Sequence, residues 1–123
     1  MDAGDADAIY IVGCIYAQGR YGLPQDHNRA LKLYHRAAEL GNARAYNNIG
    51  TAHNVGRGVE VDKKKANHYY ELAALKGHAI ARHNLGCMEW EAGNIYRAIK
   101  HWMIAAQGGE ADSLERFKKL YFR

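Results

Sequence analysis

A period of about 36 residues runs through the chain and limits its fold more than any other feature. Gly13, Gly50 and Gly86 stand 37 and 36 residues apart. Ala30, Ala66 and Ala98 are separated by 36 and 32. The pairs Ala37–Ala38, Ala73–Ala74 and Ala105–Ala106 keep those same two intervals, as do Tyr34, Tyr70 and Trp102. Self-similarity at this length marks stacked supersecondary units, each too small to bury its apolar face alone. The expected fold is therefore all-α: a solenoid of three helix–turn–helix repeats over about residues 6–41, 42–77 and 78–109, with a terminal helix over about 110–123.

Within a repeat, the apolar spacing supplies two helices. Ala45, Ile49 and Ala52 share one face at intervals of four and three, extended by His53, which predicts a helix over about Ala43 to Val55. Two glycines in Gly56-Arg57-Gly58-Val59 break it. Asp62 is the expected N-cap of a second helix over about Lys63 to Lys76, whose buried stripe is Ala66, Tyr69, Tyr70, Ala73 and Ala74. Gly77 closes that helix in a left-handed conformation. Repeat one copies the pattern with Asp26 as cap and Gly41 as stop. Repeat three is shorter, with a tight turn at Ala92-Gly93-Asn94 and Asn94 as cap. Glycine inside a helix costs about 1 kcal/mol relative to alanine. Gly13, Gly50 and Gly86 are thus expected where a neighbouring helix comes close.

The 123 residues suffice for one domain. Apolar residues make up 48% and charged residues 24%, with a single proline, which is a globular composition rather than a disordered one. The longest apolar run, Ala8 to Val12, is too short to span a bilayer, and no secretory leader opens the chain. The expected compartment is intracellular, by default the cytoplasm. Cys14 and Cys87 occupy matching places in repeats one and three, which implies two free thiols. The termini read as cut repeats, which suggests either a segment of a longer array, with open ends able to self-associate, or a minimal protein with imperfect caps.

The spaced residues Ala43, Ala45, Asn48, Ile49, Gly50, His53, Gly56, Gly58, Val59, Asp62, Ala66, Tyr70, Ala73, Ala74 and Gly77 together resemble the Sel1-like repeat family, whose helix–turn–helix units are related to tetratricopeptide repeats. The likeness covers roughly Ala6 to Gly109. His53 and Glu89 depart from it, standing where the family has an aromatic, as at Tyr16. Repeat three lacks the loop and follows tetratricopeptide spacing. The resemblance implies a non-catalytic adaptor that binds a protein or peptide, without identifying that partner.

In solenoids of this kind the first helices line a concave face. Spacing assigns to it Asp7, Tyr10, Cys14 and Gln18 from repeat one, Arg44, Asn47, Asn48, Thr51 and Asn54 from repeat two, and His83, Asn84, Cys87, Trp90 and Glu91 from repeat three. Asparagine amides there suit an extended peptide, because each can donate to and accept from its backbone. Asn48 and Asn84 have a second reading, as hydrogen bonds to the neighbouring repeat. Trp90 likewise serves either as an aromatic anchor or as packing beneath the terminal helix.

Catalysis and metal chemistry find little support. The seven histidines lie on separate helices and loops without a ligand motif, so no metal or cofactor is expected. His53 is expected in the core with its ring nitrogen hydrogen-bonded. Cys87 and His83 are four apart on one helix and so adjacent, but no third group completes a catalytic set. The net charge of +4 and the run Lys63-Lys64-Lys65 raise nucleic-acid binding as an alternative. Against it, the run sits at a second-helix start and the aromatics map to the core. A further alternative is a structural spacer within a longer array.

Overall fold

A computed structural model describes residues 3–108, 115 and 118–119. Among them the chain forms helices and no strand: α1 (Ala3–Gln18), α2 (His27–Glu39), α3 (Ala43–Val55), α4 (Lys63–Leu75), α5 (Ala79–Glu91) and α6 (Ile95–Gln107). The terminal helix expected over 110–123 lies outside the described residues except for Glu115, Lys118 and Lys119, which are helical and exposed. The chain divides into two compact units, residues 1–69 and 70–123, with the boundary inside α4.

In the first unit α1 packs on α2, and α2 on α3. The core cluster is Ala30, Tyr34, Ala37, Ala38, Ala45 and Ile49, the stripe that the four-and-three spacing selects. Ile9, Tyr10, Cys14, Tyr16, Leu31, Tyr46 and Tyr69 close around it, each partly buried. Small alanines let the helices approach, and the aromatics fill what remains. A Cβ at Gly13 would stand 2.8 Å from the Tyr34 ring, so the glycine here makes room for a side chain of α2.

Helix ends follow the sequence closely. Asp26 Oδ1 accepts from Arg29 N–H at 3.0 Å, and Asp62 Oδ1 accepts from Lys65 N–H at 3.1 Å. Each such cap stabilises a helix by about 1 kcal/mol. Each turn also returns to the preceding helix: Asp26 N–H donates to the Tyr16 carbonyl and Asp62 N–H to the His53 carbonyl, both at 2.8 Å. At the far ends, Gly41, Gly77 and Gly93 adopt φ of 98°, 85° and 86°. Asn42 N–H then reaches back to Ala37, His78 N–H to Ala73 and Asn94 N–H to Glu89, so three helices end in the same Schellman geometry.

Asn94 departs from its expected role. It precedes α6, but its side chain makes no cap bond and its amide donates instead to Glu89 Oε2 at 2.9 Å. The tight turn brings that carboxylate within reach, and a charged acceptor is the stronger partner.

The second unit is built on α5 against α6. Trp102 is 1% exposed, and its Nε1–H donates to the His83 carbonyl at 3.2 Å. Ala81, Leu85, Ala98 and Ala105 are buried with it.

Two histidines alter the expected accounting. His53 is buried, yet its Nδ1 has no hydrogen-bond partner among the described residues, contrary to the expectation of a satisfied ring. The ring is held by stacking on Tyr69 instead, at 5.7 Å and 5° between planes. His101 Nδ1, in the second unit, is buried and unpartnered in the same way. Desolvation lowers the pKa of both below the ordinary 6.5. Lys65 and His35 push His53 further down and Asp62 opposes them; Arg82 lowers His101 while Glu89 and Glu71 oppose. Between the lowered and ordinary values the unfolded chain binds more protons than the folded one. Their stabilising contribution is complete above 6.5 and is lost as pH falls toward the folded values. Thermal melts are expected to show a lower Tm at about pH 5.5 than at about pH 7.5, with a shallower pH dependence in His53→Phe. A Tm unchanged across that range would contradict it.

Candidate partner-binding cleft

The first unit carries a cleft of about 530 Å³ bounded by α1, the start of α2, α3 and the loop after it. Tyr10, Cys14, Asn48 and Thr51, four residues that spacing assigned to one face, line it together. Gln18, from the last turn of α1, also lines it.

A polar cluster forms its wall. Asn48 Nδ2 donates to Tyr10 Oη at 3.3 Å and to Cys14 Sγ at 3.8 Å. Of the two readings of Asn48, the bond to the neighbouring repeat is therefore present. Burial pushes the Tyr10 hydroxyl up to about 12; the thiol of Cys14 adds to this, while Asn48 and Arg44 oppose it. Burial likewise raises the Tyr34 hydroxyl, which stands beside Asn48 and Cys14. Both phenols stay protonated at neutral pH, so the wall offers neutral donors and acceptors.

Arg44 sits at the start of α3 and shields this wall. Its guanidinium lies 4.5 Å from the centre of the Tyr10 ring and 3.8 Å from Asp7 Oδ1. The ion pair is exposed at both ends and contributes little by itself, but it orients the cation over the ring. Asp7 also accepts from Asn42 Nδ2 at 2.8 Å, and Asn42 Oδ1 accepts from Ala45 N–H at 2.9 Å. Asn42 thereby caps α3 while holding α1.

The other assigned residues are placed differently. Asn47 is buried, at 8% exposure, on the core side of α3. Spacing put it with the partner-facing residues because Asn47 and Asn48 straddle the edge between two helix faces, a 100° step that sequence alone does not orient. Asn54 is engaged by Lys63, whose ammonium donates to its Oδ1 at 2.6 Å and its carbonyl at 3.0 Å. In the second unit His83 is buried, at 8% exposure, beside Trp102, so it too is not a surface residue. Its Nε2 lies 3.4 Å from Cys87 Sγ. Asn84 and Cys87 are half-buried, and Trp90 is 39% exposed with its ring 5.5 Å from that of Trp102. Both cysteines are free.

Sequence reasoning missed Tyr34, Gln25, His27 and Arg57 as lining residues. The last three lie in turns or at a helix start, where periodicity carries no signal. It also missed Asn42, although an asparagine directly before an apolar-periodic segment is an N-cap signal. Among the described residues no three His, Cys, Asp or Glu side chains converge on a metal-binding point, and no helix is long and apolar enough to cross a membrane.

Antiparallel helix pairs, recurrent Schellman ends and alanine-spaced aromatic cores define a helical-repeat protein of the α/α solenoid class. The sequence profile of the Sel1 repeat matches residues 6–42 and 43–78, more than half of the chain. The chain belongs to the Sel1 repeat family, a helical-repeat fold of protein–protein interaction. It is 29% identical over 95% of its length to chitin synthase regulatory factor 4 of Schizosaccharomyces pombe, covering 19% of that protein. It is 42% identical over 57% of its length to the ERAD-associated E3 ubiquitin-protein ligase component HRD3B of Arabidopsis thaliana, covering 12% of it. A crystal structure of a Sel1 repeat protein from Oxalobacter formigenes superposes on 96% of the chain with a TM-score of 0.87 at 31% identity, and the chain spans 49% of that one. The chain thus spans about a fifth or less of these two curated relatives.

Proposed function

We propose that this chain is a non-catalytic adaptor whose first unit receives an extended peptide segment of a partner protein in the cleft between α1 and α3. The observation that carries this reading is the cleft's wall of Tyr10, Cys14, Asn48 and Thr51, which sets hydroxyl, sulfur and amide groups beside an aromatic face. A peptide backbone presents alternating donors and acceptors and no charge, which matches such a wall better than an ionic ligand does. The volume of about 530 Å³ is that of a small-ligand or side-chain pocket, so one or two peptide side chains would fill it. The relatives support the class of role: one is a regulatory factor for a chitin synthase, and another a component of a ubiquitin ligase. In the second unit Trp90 is the exposed aromatic suited to anchor a partner, with Asn84 and Cys87 on the same helix.

A random-peptide display library panned against the chain tests the cleft. Selected peptides are expected to bind Tyr10→Ala and Arg44→Ala variants about tenfold more weakly, the loss typical of an aromatic contact and its supporting charge. Arg44→Ala guards against misfolding, because its side chain is half-exposed. Peptides that bind both variants as well as the parent would remove the cleft from the function. Failure to select any peptide would favour a spacer role. Binding of single-stranded RNA that weakens steeply with salt would favour the nucleic-acid reading.

A further inference from the structure

Two helices leave open apolar faces whose counterparts elsewhere in the chain are covered. Ala8, Val12 and Ile15 of α1 stand 37 residues before Ala45, Ile49 and Ala52 of α3. In α3 that stripe is sealed: all three are buried, and the first two share a core with Ala37 and Ala38 of α2. Ala81 and Leu85 of α5, 36 residues further on, are buried as well. In α1 the same stripe lies open. Ala8 and Val12 are exposed, Ile15 is half-buried, and Ile11 beside them is 52% exposed. The seat that α2 fills on α3 is thus repeated on α1, where it has no occupant among the described residues.

A matching face lies on α6. Ile99, Met103 and Ala106 stand 68 residues after Leu31, His35 and Ala38 of α2, the last of which shares the core of Ala45 and Ile49. His35 reaches forward to the Tyr69 ring of the next repeat, at 5.7 Å. Met103, in its place, is 42% exposed, and Ala106 is half-buried where Ala38 is buried. Ile104 is exposed where repeat one has Arg36. An arginine suits a face turned to water, whereas an isoleucine gains only by being covered.

Charge selects which faces meet. The charged side chains of α1 are Asp5 and Asp7, and those of α6 are Arg97 and Lys100. Arg44 of α3 offsets Asp7 in part. Two α1 faces together would set acid against acid, and two α6 faces base against base, whereas α1 with α6 joins opposite signs.

We infer that α6 of one copy docks on α1 of a second copy, as α2 seats on α3 within the chain. The contact is heterologous: each copy offers one face and receives on the other, so association continues past the dimer to open chains or closed rings. Two helix faces bury less than the roughly 1,600 Å² of a standard interface, so the contact forms at concentrations of about 100 µM and above. It uses none of the residues that line the cleft, so either reading can fail without the other.

Sedimentation velocity of the whole chain, from about 10 µM to about 1 mM, provides the test. The average sedimentation coefficient is expected to rise with concentration, past the value for a dimer. Val12→Lys sets a base in the α1 face opposite the basic α6, and Met103→Glu sets an acid in the α6 face opposite the acidic α1; both positions are exposed. Each variant alone is expected to associate at least about tenfold more weakly, because every contact needs both faces and a charge in an apolar seam finds no partner. Mixed in equal amounts, the two retain one intact α6 face and one intact α1 face. They are expected to form a one-to-one dimer that grows no further, a recovery that also shows both to be folded. A parent chain that stays monomeric throughout would overturn the inference. So would a dimer that survives unchanged in either single variant, the mark of like faces pairing, or a mixture that fails to associate.

Discussion

Trp102→Ala is expected to destabilise the second unit by about 3–5 kcal/mol, the range for removing a large aromatic from a packed core. The ring is 1% exposed, it lies 5.5 Å from Trp90, and its Nε1–H donates to the His83 carbonyl. Domains of this size have a total stability of roughly 5–15 kcal/mol, so the loss is a large part of it. Trp90, the remaining tryptophan, reports the outcome: its fluorescence is expected to shift to that of a solvated indole, and urea denaturation to begin earlier. Trp102→Phe keeps most of the apolar ring and loses the N–H. Its cost is expected to be smaller, about 1–2 kcal/mol, from a lost hydrogen bond and a lost ring edge. A loss below about 1 kcal/mol for the alanine variant would show that this ring does not hold the unit together.

Gly86→Ala is expected to destabilise by about 2 kcal/mol, reversing the usual sign of that substitution. Inside an ordinary helix alanine is favoured over glycine by about 1 kcal/mol. Here a Cβ would come within 2.5 Å of Trp102 Cδ1 and 3.1 Å of the Ala98 carbonyl oxygen. The obstruction is a buried, rigid ring and a backbone atom, neither able to turn aside. Overpacking of this kind costs about 1–3 kcal/mol even after relaxation. The clash is specific to the indole, so combining Gly86→Ala with Trp102→Phe is expected to lose less than the two single costs together. Strict additivity in a double-mutant cycle, measured by urea denaturation, would mean that the two residues do not meet.

The fold was legible because its determinants repeat. Ala30, Tyr34 and Ala37–Ala38 recur as Ala66, Tyr70 and Ala73–Ala74, and each copy is buried on the expected stripe. Asp26 and Asp62 announce their helices by capping chemistry that acts within four residues, which sequence displays directly. The candidate site was legible only in part. Tyr10, Cys14, Asn48 and Thr51 were recoverable from helical spacing, since they share one side of α1 and α3. Asn47 and His83 were not, because a residue at the edge of a stripe turns inward or outward according to which neighbour packs beside it. The meeting of His35, His53 and His68 around the ring of Tyr69 was also hidden, because the three histidines come from three helices, although Tyr69 itself stood on the expected stripe. His53, standing where the resemblance expects an aromatic like Tyr16, was the visible trace of that local departure.

Asn42 joins three elements through separate atoms. Its N–H closes the end of α2, its Oδ1 opens α3, and its Nδ2 reaches Asp7 on α1. Fraying at any one of these points releases a bond needed at the other two, so the three helices open together rather than in turn. Such coupling turns neighbouring helices into one cooperative unit of opening, whose amides exchange with solvent at a common rate set by the whole. The corresponding place one repeat later is His78, whose side chain makes no cap bond to α5. The capping part of this link is thus a property of the joint before α3 and not of the joint before α5.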